Sequence, residues 1–301
     1  MTMSVVSFSP TVSLSRIAYG VWRLSEAADC SARAVAEKIE ACLDQGITTF
    51  DHADIYGDYR CEALFGEAVR AHPQLKSRMQ IVTKTDIMLL SKSWPDTRVK
   101  HYDTSTAHIV ASVERSLQRI GVDVIDVLLI HRPDPLMDAQ ALGACLDQLI
   151  DAGKIRAAGV SNFMPWDIDM LQSCMKNPLV TNQIELSLMH TAPLTNGQIA
   201  HAQQHRQPVM AWSPLGGGRL LGQDPVAKRL AVKLKALAQA HQVDEAAIAI
   251  AWLLQHPAKV VPVMGSNDLA RIRAFHQAAE VQLDRQNWFE LYELAQSSEV
   301  P

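Results

Sequence analysis

Short apolar runs alternate with longer segments of helical period along the whole chain. The runs are "IAYGV" (17–21), "ITTF" (47–50), "MQIVT" (79–83), "VIDVLLI" (124–130), "IRAAGV" (155–160), "LVTNQ" (179–183), "PVMAW" (208–212) and "VVPVM" (260–264). Each has the length and make-up of a buried strand. Between them lie amphipathic stretches. In 31–46, Val35, Ile39, Cys42 and Leu43 share a face, Ser31 is placed to cap the start and Gly46 to end the helix. Residues 104–121 repeat the plan with Ile109, Val113, Leu117 and Ile120. Eight strands alternating with helices predict an α/β fold, a closed (β/α)8 TIM barrel rather than an open sheet.

Two regions exceed one strand per helix. Residues 5–15 alternate apolar and polar around Ser9-Pro10, which predicts a small β-hairpin ahead of the barrel. Residues 226–256 hold two helical patterns in a row, and 284–296 hold another, which predicts two extra helices.

Composition adds limits. The 301 residues are 48% hydrophobic, with no low-complexity linker, so 1–301 reads as a single barrel domain. A net charge of −4 gives no reason to expect nucleic acid or a membrane surface as a partner. The first ten residues lack the basic and apolar regions of a secretory signal, and no apolar run reaches membrane-spanning length. Five scattered cysteines without a CxxC pair read as free thiols, Cys42 and Cys145 on inward faces, and point to a reducing cytoplasmic compartment. Oligomeric state is not legible.

The unusual polar residues cluster at one end of the strands. Asp51 follows the second run, Lys84 the third and His131 the fourth; Ser161 and Asn162 follow the fifth, Gln183 closes the sixth, and Trp212-Ser213 close the seventh. Singly, each has a bland reading: a solvated lysine, a hydrogen-bonded histidine, a turn-capping aspartate, a loop tyrosine at Tyr56, a core tryptophan. A barrel, however, brings its carboxyl strand ends to one mouth. There, a buried lysine beside a tyrosine hydroxyl lowers the phenol pKa, a carboxylate keeps the lysine charged, and a histidine can donate to a substrate oxygen. Such a set delivers a proton to a carbonyl oxygen. Reduction also needs a hydride donor, and Trp212 offers a flat surface for a nicotinamide ring.

The residues of this set lie in motifs that resemble the aldo-keto reductases, and closely the bacterial YdhF-like oxidoreductase branch. The motifs run in order from "YGVWRL" (19–24), "FDHADIYG" (50–57) and "VTK" (82–84) through "LLIHRPDP" (128–135), "GKIRAAGVSNF" (153–163) and "TNQIELS" (181–187) to "AWSPLGGG" (211–218) and "GSNDLARIRA" (265–274). The resemblance implies NADPH-dependent reduction of aldehydes or ketones, with Tyr56 as proton donor, Lys84 and Asp51 tuning it, and His131 polarising the carbonyl. It implies that Ser161, Asn162 and Gln183 hold the nicotinamide amide while Trp212, where the family usually has Tyr or Phe, stacks on its ring. Ser213, Leu215, Gly216, Gly218 and Arg219 would follow the pyrophosphate. Gly265 belongs to the same cofactor set, and Ser266, Asn267 and Arg271 would meet the adenosine 2′-phosphate. Two departures stand out. The family often reads Asp-Thr-Ala at Asp51-His52-Ala53, and many members carry Glu-Asn at Ala274-Phe275, near the adenine.

Two other functions compete with a carbonyl reductase. One is a metal-dependent hydrolase with Asp51, His52, Asp54 and His131 as ligands, although adjacent Asp51 and His52 point apart on a strand and no HxH follows the first run. The other is a cofactor-binding sensor or regulatory subunit with slow incidental turnover. The small-molecule carbonyl substrate would be chosen by loops 85–103 and 213–225 and by the C-terminal tail. Trp94 and Tyr102 read equally well as pocket wall and as rim packing.

Overall fold

The computed structural model describes residues 3–300; Met1 and Thr2, part of the segment read for a leader, and Pro301 lie outside the described residues. Val5–Ser7 (β1) and Ser13–Ser15 (β2) form the expected antiparallel hairpin. The barrel strands are Ala18–Gly20 (β3), Thr49–Asp51 (β4), Gln80–Thr85 (β5), Ile125–Ile130 (β8), Ile155–Ser161 (β9), Leu179–Glu185 (β10), Val209–Trp212 (β11) and Val261–Met264 (β12). All neighbours pair in parallel, and β12 closes onto β3. Within the loop after β5, Ile87–Met88 (β6) pairs antiparallel with His101–Tyr102 (β7).

The helices are Ala32–Leu43 (α1), Tyr56–Tyr59 (α2), Cys61–Ala71 (α3), Thr106–Ile120 (α4), Ala139–Asp151 (α5), Pro165–Gln172 (α6), Gln198–Gln204 (α7), Pro225–His241 (α8), Glu245–Leu254 (α9), Leu269–Arg273 (α10) and Arg285–Gln296 (α11). Ser31 caps α1 by accepting from the Ala34 amide, as its sequence position suggested. In α4 the cap is Ser105, one residue later than the start of the periodic stretch, and Gly121 ends the helix in the left-handed conformation. The pair α8 and α9 between β11 and β12, and the terminal α11, are the additions to the eightfold plan. Trp252 and Trp288 stack at 4.8 Å and exchange indole N–H bonds to each other's carbonyls, fixing α11 on α9.

Val6, Phe8, Val12 and Leu14 of the hairpin join Val82, Val127, Met210 and Val261 in one buried cluster. The hairpin therefore seals the amino-terminal end of the barrel and leaves the carboxyl ends of the strands as the open face. Among the described residues, no helix is long and apolar enough to cross a membrane. All five cysteines are free, with Cys42 and Cys145 buried.

Several polar residues expected after strands lie inside them. Asp51 and Ser161 are final strand residues and Lys84 is followed by further strand, while Trp212 ends its strand as expected and the strand of Gln183 runs on to Glu185. Polarity usually signals that a strand has ended, but here the polar side chains satisfy one another inside the barrel mouth, so the ladder continues past them.

Candidate active site

Lys84 is the hub. It is 1% exposed and Asp51 is 2% exposed, so neither charge reaches water. The ammonium has three N–H groups and no lone pair. They are committed to Asp51, at 2.7 and 2.8 Å from its two oxygens, to the His52 carbonyl at 2.7 Å, and to the Tyr56 hydroxyl oxygen at 3.2 Å. Because Lys84 can only donate, Tyr56 accepts from it, and the hydrogen of the Tyr56 hydroxyl remains free for another oxygen. Burial opposes the Lys84 charge, but the Asp51 carboxylate and then Tyr56 outweigh it, and the pKa lies above the ordinary value.

Tyr56 behaves differently from the sequence expectation. Lys84 does pull its pKa down, yet burial of the phenol is the larger influence and leaves it above the ordinary value. Tyr56 is therefore fully protonated at neutral pH, the state a proton donor requires. Its position depends on the kinked turn that follows, where Gly57, Asp58 and Tyr59 all have positive φ (61°, 56° and 67°). A Cβ at Gly57 would overlap the Ser25 hydroxyl and lie 2.6 Å from Cys61 Sγ. Only glycine lets Tyr56 pass so close to the segment after β3.

His131 follows β8 directly and faces Tyr56 edge-to-face at 6.1 Å between ring centroids. Burial first, then the Lys84 charge, hold it well below the usual histidine range, so it is a neutral imidazole. Its Nδ1 is buried without a partner. The Nε2 edge is then the one available to a substrate oxygen.

A continuous network runs outward from this centre. The Gln183 side-chain amide donates to Asp51 Oδ1 at 2.7 Å. Ser161 Oγ donates to the Gln183 carbonyl at 2.8 Å and accepts from Asn162 Nδ2 at 2.8 Å. Asn162, with a left-handed backbone (φ 63°), also donates to the His131 carbonyl at 3.2 Å and accepts the Trp212 indole N–H at 2.9 Å. The indole ring thus connects to the lysine hub through four residues, Asn162, Ser161, Gln183 and Asp51, and five hydrogen bonds. Beside it a cleft of about 380 Å³ is lined by Arg132, Glu185, His190 and Gln198, among others.

Two further strips border the mouth. After β11, Ser213, Gly216, Gly217 and Gly218 all have positive φ, and a Cβ at Gly216 would lie 2.6 Å from Met189 Cγ. Arg219 is exposed here and reaches Asp224 at 3.6 Å. After β12, Gly265 packs its backbone against the Gly20 carbonyl. The Ser266 carbonyl accepts from the Tyr19 hydroxyl at 2.8 Å, and Asn267 donates to the Arg23 carbonyl at 2.7 Å. Asp268 caps α10, accepting from the Ala270 and Arg271 amides. The amides at the start of that short helix are thus already satisfied, and the exposed side chain of Arg271 is what the segment offers to an anion. Phe275 is buried in the core, which accounts for an aromatic at that position.

The proposed hydrolase ligands do not converge. Asp51 is bound to Lys84, while the buried His52 ring packs edge-to-face on Phe65 at 4.5 Å, with burial pushing its pKa down to about 3. Asp54 accepts from Ser112 at 2.9 Å behind the site. Trp94 packs edge-on against Tyr59 beneath the Arg115 guanidinium, 5.0 Å away, so it belongs to the rim. Tyr102 pairs with Ile87 in the β6–β7 ribbon. Sequence reasoning missed Tyr19 and Arg23, whose partners Ser266 and Asn267 lie far along the chain and leave no local signal. It also missed the buried acids Glu62 and Asp86.

A closed parallel barrel thus carries a Lys–Asp–Tyr hub at its carboxyl mouth. The aldo/keto reductase family model matches residues 16–296, and the chain belongs to that family. It is 52% identical over 298 residues to the 6-dehydroglucose reductase of Agrobacterium fabrum, covering 99% of this chain and 100% of that protein. It is 42% identical over 290 residues to oxidoreductase YdhF of Escherichia coli, covering 95% of each. An aldo-keto reductase from Klebsiella pneumoniae, solved in complex with NADPH, shares the fold with a TM-score of 0.79 at 24% identity, covering 100% of this chain and 97% of that one.

Proposed function

We propose that this protein is an NADPH-dependent carbonyl reductase whose substrate is a sugar aldehyde. The observation that carries the reading is the commitment of all three Lys84 N–H groups, which leaves the Tyr56 hydroxyl hydrogen free. Bound NADPH supplies the hydride that reduces the carbonyl carbon. Tyr56 gives its proton to the carbonyl oxygen, and Lys84 stabilises the phenolate left behind. Asp51 keeps Lys84 charged, and Gln183 holds Asp51 in register. Neutral His131 donates from Nε2 to the same carbonyl oxygen.

The residues present fit the cofactor. The glycine strip 216–218 has positive φ throughout and keeps side-chain bulk away from a passing pyrophosphate. Ser213, Leu215 and Arg219 border it, while Gly265, Ser266, Asn267 and Arg271 form the 2′-phosphate end. Asn162, Ser161 and Trp212 would meet the nicotinamide. Asn162 would then exchange its present bond with Trp212 for one to the ring amide.

The sugar assignment rests on the 52% identical relative named 6-dehydroglucose reductase and on the cleft lining. Arg132, Glu185, His190 and Gln198 offer hydrogen-bond partners for several hydroxyls, more than a plain alkyl aldehyde can use. NADPH oxidation by 6-dehydroglucose is expected to show a kcat/KM at least tenfold above that for hexanal. Equal values would remove the sugar reading, and no oxidation with any aldehyde would remove the reductase.

A further inference from the structure

Away from the barrel mouth, α6 and α7 bring three metal-ligating side chains together. Asp169 lies on α6, His201 on α7 and His205 at the end of α7. His201 Nε2 is 2.8 Å from Asp169 Oδ1, and the two imidazole rings lie 4.3 Å apart at 38°. One donor atom from each residue falls within 4.8 Å of the other two. His201 and His205 are four residues apart, so one helix face presents both rings.

We propose that Asp169, His201 and His205 form a site for a borderline divalent transition-metal ion, with Zn²⁺ as its representative. Two imidazoles and one carboxylate are the donors such an ion favours, whereas Mg²⁺ prefers an all-oxygen shell. Donors around tetrahedral Zn²⁺ stand about 3.3 Å apart. The set closes to that spacing by small side-chain rotations, because Asp169 and His205 are exposed and His201 alone is buried. A water would complete the shell from the solvent side.

The site has a structural consequence near the cleft. Gln198, the first residue of α7, donates to the Phe163 carbonyl at 2.9 Å, immediately after Asn162. Met164, which precedes α6, lines the same cleft as Gln198. An ion joining Asp169 to the two histidines therefore ties together the helices whose inner ends border that cleft. The inference stands apart from the reductase reading, because none of the three ligands is a residue assigned there.

The test is Zn²⁺ binding by calorimetry at pH 7.5, with thermal melts in Zn²⁺ and in Mg²⁺ as the second readout. The wild-type chain is expected to take up one Zn²⁺ saturably, and its melting temperature is expected to rise with Zn²⁺ alone. His205→Ala and Asp169→Asn should each weaken binding about tenfold or more, the scale on which even supporting residues of metal sites act. Both variants leave the five cysteines in place, so uptake by thiols would survive them. Absence of saturable uptake, or wild-type affinity in either variant, would overturn the site.

Discussion

Lys84 donates to the Tyr56 hydroxyl oxygen at 3.2 Å while its other N–H groups are held by Asp51 and the His52 carbonyl. Stability and chemistry are coupled at this one ammonium. Removing it leaves the Asp51 carboxylate buried without a cation, a loss of about 3–5 kcal/mol for buried pairs. Lys84→Met should therefore lower the melting temperature and slow carbonyl reduction together. Adding Asp51→Asn to it removes the orphaned charge, so the double variant should recover much of the stability and none of the turnover. Thermal melts and steady-state rates on the three proteins separate the two roles.

The pH dependence of stability follows from Asp54, which burial first and the neighbouring Glu62 second push up to about 7. In the unfolded chain its carboxyl releases the proton near the ordinary aspartate value of about 4. Between those limits the folded state binds the extra proton, so this group's stabilisation is full at low pH and is lost as pH rises towards 7. Asp54→Asn keeps a neutral acceptor for Ser112 at every pH. The stability of Asp54→Asn relative to the native chain should grow from pH 4 to 7 and level off above, by an amount on the order of 1–4 kcal/mol. Denaturant unfolding across pH 4–8 measures it. His52 and His131, held neutral by burial, act in the opposite sense below pH 6.5, but they are common to both proteins and cancel in the difference.

Cofactor choice depends on Arg271. Because Asp268 already satisfies the first amides of α10, the arginine side chain is the contact there that a 2′-phosphate would gain. A charge-assisted hydrogen bond is worth roughly 1.5–3 kcal/mol, about tenfold to a hundredfold in affinity. Arg271→Ala should weaken NADPH by that factor and leave NADH nearly unchanged, as read by titration of intrinsic fluorescence. Equal losses would move Arg271 to a role in the fold or at the adenine.

The barrel was legible because each of its eight strands is an apolar run separated from the next by a helical pattern, and the hairpin and extra helices broke that rhythm visibly. Asp51, Lys84 and His131 were legible because an ionisable group at the end of an apolar run is conspicuous. What the sequence could not carry was who bonds to whom. Gln183 reads as a cofactor ligand by position, and nothing in the sequence signals that its amide nitrogen also donates to Asp51. The direction of the Tyr56 pKa also escaped, since it is a balance between one visible cation and a burial that no local pattern reveals. Gly57 closes the motif 50–57, but its necessity comes from Ser25 and Cys61, which approach it through the fold.

The central claim is that the free Tyr56 hydroxyl hydrogen is the proton delivered to the carbonyl. Tyr56→Phe removes that hydrogen and keeps the ring, and it leaves Lys84 bound to Asp51 and the His52 carbonyl. The decisive measurement is single-turnover reduction of 6-dehydroglucose by NADPH-loaded Tyr56→Phe, beside a titration of its NADPH affinity. The account predicts unchanged affinity and a rate lower by about 10²–10⁴, the usual contribution of a general acid. A Tyr56→Phe protein that binds NADPH normally and reduces the aldehyde at the native rate would contradict it.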